Sequence, residues 1–99
     1  MIFGRNKINE AVEACRQDPD AVLLDVREED EFRAGHIPGA VNLPLSRIRS
    51  IDLPLDTPLY VYCLRGTRSL QAVGVLKDMD YDDVRSIGGI TAYRGPLER

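Results

Sequence analysis

Cys63 closes the apolar run Leu59-Tyr60-Val61-Tyr62 and opens the stretch Leu64-Arg65-Gly66-Thr67-Arg68-Ser69. Leu70, Val73 and Leu76 then recur at helical spacing. The pattern is a strand, a tight loop and a helix, with a thiol at the strand's end. A loop entering a helix points backbone N–H groups and the positive end of the helix dipole at its own centre. Arg65 and Arg68 add two permanent cations. Each of these favours thiolate over thiol, so Cys63 is expected to be an activated sulfur nucleophile inside an anion-binding cradle. Gly66 permits a backbone conformation that a β-carbon resists. Thr67 and Ser69 are placed to cap the helix or to offer hydroxyls to an anion, and Leu64 gives the cradle an apolar rim.

The rest of the chain has to hold that loop. Ile8, Ala11, Val12 and Cys15 follow the spacing of an amphipathic helix, ended by Asp18-Pro19-Asp20. Ala21-Val22-Leu23-Leu24 has the length and continuous apolarity of a strand buried on both faces. Glu28 to Ala34 is charged and helix-prone, with Gly35 as its stop and Ile37-Pro38-Gly39 as a turn. Ala40-Val41-Asn42-Leu43 reads as a second strand, followed by an irregular connection with a helical turn near Leu45 to Ile48. The strand Leu59 to Tyr62 delivers Cys63, and a helix over Thr67 to Met79 follows. Val84 to Ile87 is a further strand, Gly88-Gly89 a turn, and Ile90 to Arg94 a short final helix. No strand before Ile8 is evident unless Ile2-Phe3 serves. Short strands alternating with helices predict a parallel α/β sheet covered on both faces, with right-handed crossovers. Ligands in such sheets sit beyond the carboxyl ends of the strands, where Cys63 falls.

Ninety-nine residues, 43% hydrophobic and 29% charged, suit a single soluble domain, 1–99. The net charge of −3 supplies no global field for nucleic acid or anionic membranes. No apolar run approaches a membrane span. Met1 to Lys7 lacks the apolar stretch and cleavage site of a signal peptide, and two cysteines make no disulfide framework, so a reducing cytoplasm is the expected compartment. A complete protein and a domain of a longer one fit equally well.

Three separated segments resemble the signatures of the rhodanese family. Leu24-Asp25-Val26-Arg27, Glu31-Phe32 and Gly35-His36-Ile37-Pro38-Gly39-Ala40-Val41-Asn42 are similar to its first motif. Tyr62-Cys63-Leu64-Arg65-Gly66-Thr67-Arg68-Ser69 is similar to its active-site loop, and Asp83-Val84 through Gly88-Gly89 to its closing segment. The resemblance runs from about Val22 to Tyr93 and implies a three-layer α/β fold, a central mostly parallel sheet of about five short strands with helices on both faces. It also implies a sulfurtransferase in which Cys63 carries a persulfide. The thiolate takes the outer sulfur of a small anionic donor such as thiosulfate and then passes it to a thiol or cyanide, in ping-pong fashion. Neither a cofactor nor a metal is called for. Arg68 falls on the family's terminal loop arginine, and Arg65 and Arg68 are both suited to hold the donor's oxygens. The chain departs from the family in having Asp80 where the helix after the loop ends at Gly, and Tyr93 in place of a closing Trp.

Alternative readings remain open. One is a sulfur carrier or regulatory module acting on a protein persulfide partner. A cysteine-dependent phosphatase or arsenate reductase needs Cys-x5-Arg, whereas four residues separate Cys63 from Arg68, so the cradle is shorter and better matched to a single sulfur atom. A redox pair with Cys15 competes with Cys15 as a small apolar core residue. His36 is expected to fix a turn, and Asp25 and Arg27 to support the loop from the strand's end as an ion pair or a backbone-bonded set. Glu28 to Glu31 reads as a solvated helix start, and Asp78 to Asp83 as a solvated turn without the Gly and distal Glu of a calcium loop. Gly74 lies inside a helix, and close approach of that helix to the sheet is one explanation for it.

Overall fold

The structure, a computed structural model, describes residues 6–99. Ile2-Phe3 lies outside the described residues. Helix α1 (Lys7–Gln17) starts at Asn6, whose side chain accepts the Asn9 N–H. Strand β1 (Val22–Asp25) leads to the short helix α2 (Glu29–Ala34) and the two-residue strand β2 (Val41–Asn42). A 3-10 segment, Leu45–Ser50, precedes β3 (Leu59–Cys63). Helix α3 (Thr67–Asp78), β4 (Val84–Gly89) and a 3-10 turn (Ile90–Ala92) complete the chain.

The described strands form a four-stranded parallel sheet in the order β2-β1-β3-β4, one fewer than the resemblance implied. The alternation of side chains along β1 and β3 splits the core between the two faces. Leu23, Tyr60 and Tyr62 pack with Ile8, Val12 and Cys15 of α1. Leu24, Leu59, Val61 and Cys63 pack with Ala72 and Leu76 of α3 and with Ile48. Cys15 and Cys63 therefore sit in separate clusters on opposite faces of the sheet, and both are free thiols.

Three local expectations are corrected. Gly88-Gly89 is not a turn but the end of β4. Its register against β3 slips between Val61 and Tyr62, so that Val61 faces Ser86 while Tyr62 faces Gly88. The left-handed Gly88, at φ 105°, takes up that bulge. The final helix shrinks to one 3-10 turn. Gly74 is not there for close approach, since a Cβ added to it would meet nothing within 4 Å. Asp80, standing where the family has Gly, is the one non-glycine at positive φ among the described residues, at 75°. There it forms a helix stop in which Asp80 N–H binds the Lys77 carbonyl and Tyr81 N–H the Leu76 carbonyl, each at 3.0 Å.

Candidate active site

β3 ends by placing Cys63 at 1% exposure, and the chain turns at once into α3. The turn is made by Gly66 at φ 110°, which is also the residue that begins the helix. Because that position has no side chain, the sulfur of Cys63 takes the place of a capping oxygen. The Gly66 N–H donates to it at 3.0 Å and the Ser69 N–H, in the first helical turn, at 3.4 Å. Of the two roles expected for Thr67 and Ser69, the capping one is not met, since α3 begins at Gly66 without a side-chain cap.

Ser69 lies under the loop, fully buried. Its hydroxyl sits 2.7 Å from that of Ser86 on β4, donates to the Gly66 carbonyl at 2.9 Å and lies 3.7 Å from the Cys63 sulfur. Burial alone pushes the Cys63 thiol upward. The Ser69 N–H and the nearby Ser69 hydroxyl, and then the Gly66 and Arg65 N–H groups, outweigh burial and hold it below the ordinary thiol value. Cys15 goes the other way, raised mainly by burial and then by Asp18.

The opening above the sulfur is a mouth of about 170 Å³ lined by Cys63, Leu64, Arg65, Thr67 and Arg68. Arg65 and Thr67 are exposed, while Gly66 and Ser69 act from beneath. The two arginines differ in a way the sequence does not reveal. Arg68 is clamped by Glu31 of α2 through two hydrogen bonds, Nη1 to Oε1 at 2.7 Å and Nη2 to Oε2 at 3.0 Å. Among the described residues Arg65 carries no ion pair. Glu31 Oε1 also accepts the Glu28 N–H at 3.0 Å. The Arg68 bond, foremost, draws the Glu31 carboxyl down to about 2. The acidic run is thus a solvated helix start only at its exposed members Glu28, Glu29 and Asp30.

Asp25 and Arg27 form the expected ion pair, with Asp25 fully buried. Arg27 Nη2 donates to Asp25 at 2.7 Å and to the Gly35 carbonyl at 2.8 Å, tying the end of β1 to the end of α2. Tyr62, the neighbour of Cys63, lies beside the pair, its hydroxyl accepting the Ile37 N–H at 3.1 Å. Burial first, then Asp25, raises its pKa. His36 fixes a turn, as expected. Its Nδ1 lies 2.9 Å from the Phe32 carbonyl, its ring stacks on Phe32, and its backbone pairs with Glu98.

Glu31 and Gly89 are the residues that sequence reasoning missed. Gly89 pairs with Cys63 across the sheet, and a Cβ there would lie 2.2 Å from the Leu64 carbonyl oxygen and 2.4 Å from Arg65 Cα. Only a glycine lets the loop lie this close to β4. The motif order Glu-Phe and Gly-Gly was visible, but not what those residues touch.

The rhodanese-like domain family model matches residues 8–95. The chain belongs to the rhodanese-like domain family. It is 31% identical over 96 residues to the thiosulfate sulfurtransferase GlpE of Pseudoalteromonas translucida, covering 94% of this chain and 90% of that protein. The human single-domain sulfurtransferase TSTD1 superposes with a TM-score of 0.73 at 31% identity, covering 86% and 88% of the two chains. Other relatives are much longer. The chain is 36% identical over 94 residues to the adenylyltransferase and sulfurtransferase UBA4 of Meyerozyma guilliermondii, which covers 84% of this rhodanese-like chain but only 22% of that protein. No helix among the described residues is long and apolar enough to cross a membrane.

Proposed function

We propose that this rhodanese-like domain is a sulfurtransferase that moves a sulfane sulfur through a persulfide on Cys63. The observation that carries the reading is the Cys63 sulfur capping α3. Backbone N–H groups converge on one sulfur atom, and the same groups that stabilise the thiolate would stabilise the outer sulfur of a persulfide. In the first half-reaction the thiolate attacks the outer sulfur of thiosulfate, the sulfur–sulfur bond of the donor breaks, and sulfite leaves with the electron pair. In the second, cyanide or a thiolate attacks that outer sulfur and restores the Cys63 thiolate. Because a thiolate is nucleophilic and sulfite leaves readily, no general base is required.

The mouth fits this chemistry. It admits a few heavy atoms, Arg65 is its guanidinium without an ion pair among the described residues, and Leu64 and Thr67 complete the rim. Arg65 is therefore the residue that meets the donor's oxygens first, and Arg68, held by Glu31, shapes the mouth from its side. Asp25 and Arg27 support the strand end. The names of the relatives support the same class, and a rhodanese-like domain found within longer proteins also suits delivery of the sulfur to a protein partner through the same persulfide. The test is release of thiocyanate from thiosulfate and cyanide. Wild type is expected to turn over and Cys63→Ser to be inactive, while Cys15→Ser keeps full activity. Equal turnover by Cys63→Ser refutes the reading, and hydrolysis of an aryl phosphate that depends on Cys63 favours the phosphatase alternative.

A further inference from the structure

The mouth above Cys63 contains two guanidinium groups but not two free positive charges. Glu31 meets Arg68 fork to fork, and the pair is only partly exposed, 31% for Arg68 and 29% for Glu31. Arg27 acts on Glu31 but is itself neutralised by Asp25, and Glu28 adds a further negative charge acting on Arg68. Among the described residues Arg65 is left as the uncompensated cation at the mouth.

We infer that Glu31 is a specificity-determining residue. By neutralising Arg68 it lowers the positive charge of the mouth and holds back doubly charged sulfur donors relative to singly charged ones. The inference rests on the persulfide reading and adds a substrate class to it: sulfane-sulfur monoanions. Electrostatic attraction to one added unit of charge scales with the charge of the donor. If uncovering Arg68 speeds capture of a monoanion by a factor, it speeds capture of the matching dianion by the square of that factor.

Thiosulfate and methanethiosulfonate make the matched pair. They carry the same outer sulfur, and a methyl group in one replaces a charged oxygen in the other. Attack by the Cys63 thiolate forms the same persulfide from each, releasing sulfite from the dianion and methanesulfinate from the monoanion. The experiment measures kcat/KM for each donor, with cyanide as acceptor, in wild type, Glu31→Gln, Arg68→Gln, the double variant and Glu29→Gln. A Gln at position 31 still accepts the Glu28 N–H, so the start of α2 is kept.

In Glu31→Gln, kcat/KM rises about threefold for methanethiosulfonate and about tenfold for thiosulfate, an effect that shrinks as salt is added. In Arg68→Gln, where Glu31 is left uncovered, the ratio of thiosulfate to methanethiosulfonate falls by about threefold. The double variant returns to the wild-type ratio, and Glu29→Gln never leaves it. Equal losses for both donors in Glu31→Gln would show a merely structural role and overturn the inference. A double variant as poor with thiosulfate as Arg68→Gln would overturn it too, since Arg68 would then be gripping the donor directly. If Glu31→Gln does not fold, the signs for Arg68→Gln and the double variant decide. Should wild type form no persulfide with either donor, it is the sulfur-transfer reading itself that fails.

Discussion

Replacing Gly89 with Ala tests whether the β4 end shapes the cysteine loop. The new methyl would sit 2.2 Å from the Leu64 carbonyl oxygen, 0.8 Å inside the 3.0 Å limit that Cβ contacts essentially never cross. It would also lie 2.4 Å from Arg65 Cα and 2.6 Å from Arg65 N. All three atoms are backbone, so no side chain can swing away, and the loop must retreat by about 1 Å. That retreat pulls the Arg65 and Gly66 N–H groups from the sulfur they stabilise, the latter now at 3.0 Å. Overpacking of this kind destabilises by about 1–3 kcal/mol. For a domain of this size each kcal/mol lowers Tm by about 4–8 °C. A 1 Å misplacement reduces turnover by about 10²-fold. The assay is the pH profile of iodoacetamide alkylation of Cys63 with thermal melting in parallel. The midpoint should move to higher pH in Gly89→Ala, because the N–H bonds that lowered it are weakened. An unchanged midpoint with an unchanged Tm would refute the reasoning.

Gly74→Ala should instead stabilise by up to about 1 kcal/mol, read as a higher Tm, because open space surrounds that position in α3. Asp80→Gly should also raise Tm, by relieving a left-handed residue worth about 1 kcal/mol, provided the Schellman-type stop is kept. Asp25→Ala leaves Arg27 buried without its partner and should lose about 3–5 kcal/mol by urea denaturation. Glu31 adds a pH signature. Its carboxyl is drawn from 4.5 to about 2 on folding, so its contribution is complete above pH 4.5 and is lost as pH falls toward 2. The stability deficit of Glu31→Gln should therefore be constant at neutral pH and shrink across that acid window.

The strands and helices were legible because their patterns are local. The apolar runs at Val22 and Leu59, the helical spacing after Cys63, and Gly66 in the loop each have one ready interpretation. The strand–loop–helix around Cys63 followed from that spacing. The missing information concerned partners far apart in the chain. Nothing in Glu28-Glu29-Asp30-Glu31 marks the last as the one that reaches Arg68, 37 positions away. Composition alone makes Arg65 and Arg68 equivalent. Gly88-Gly89 looks like a turn because glycine pairs usually are one, whereas here the first absorbs a bulge and the second gives the loop room. Gly74 invited a packing explanation that the open space around it removes.

The central claim is that Cys63 carries the transferred sulfur, and the most direct measurement is the intact mass of the protein after incubation with thiosulfate and no reductant. Wild type should gain one sulfur atom, mapped by peptide mass to Cys63, and lose it again on addition of cyanide as thiocyanate appears. Cys63→Ser should gain nothing. A sulfur that appears on Cys15, or that persists in Cys63→Ser, would contradict the account.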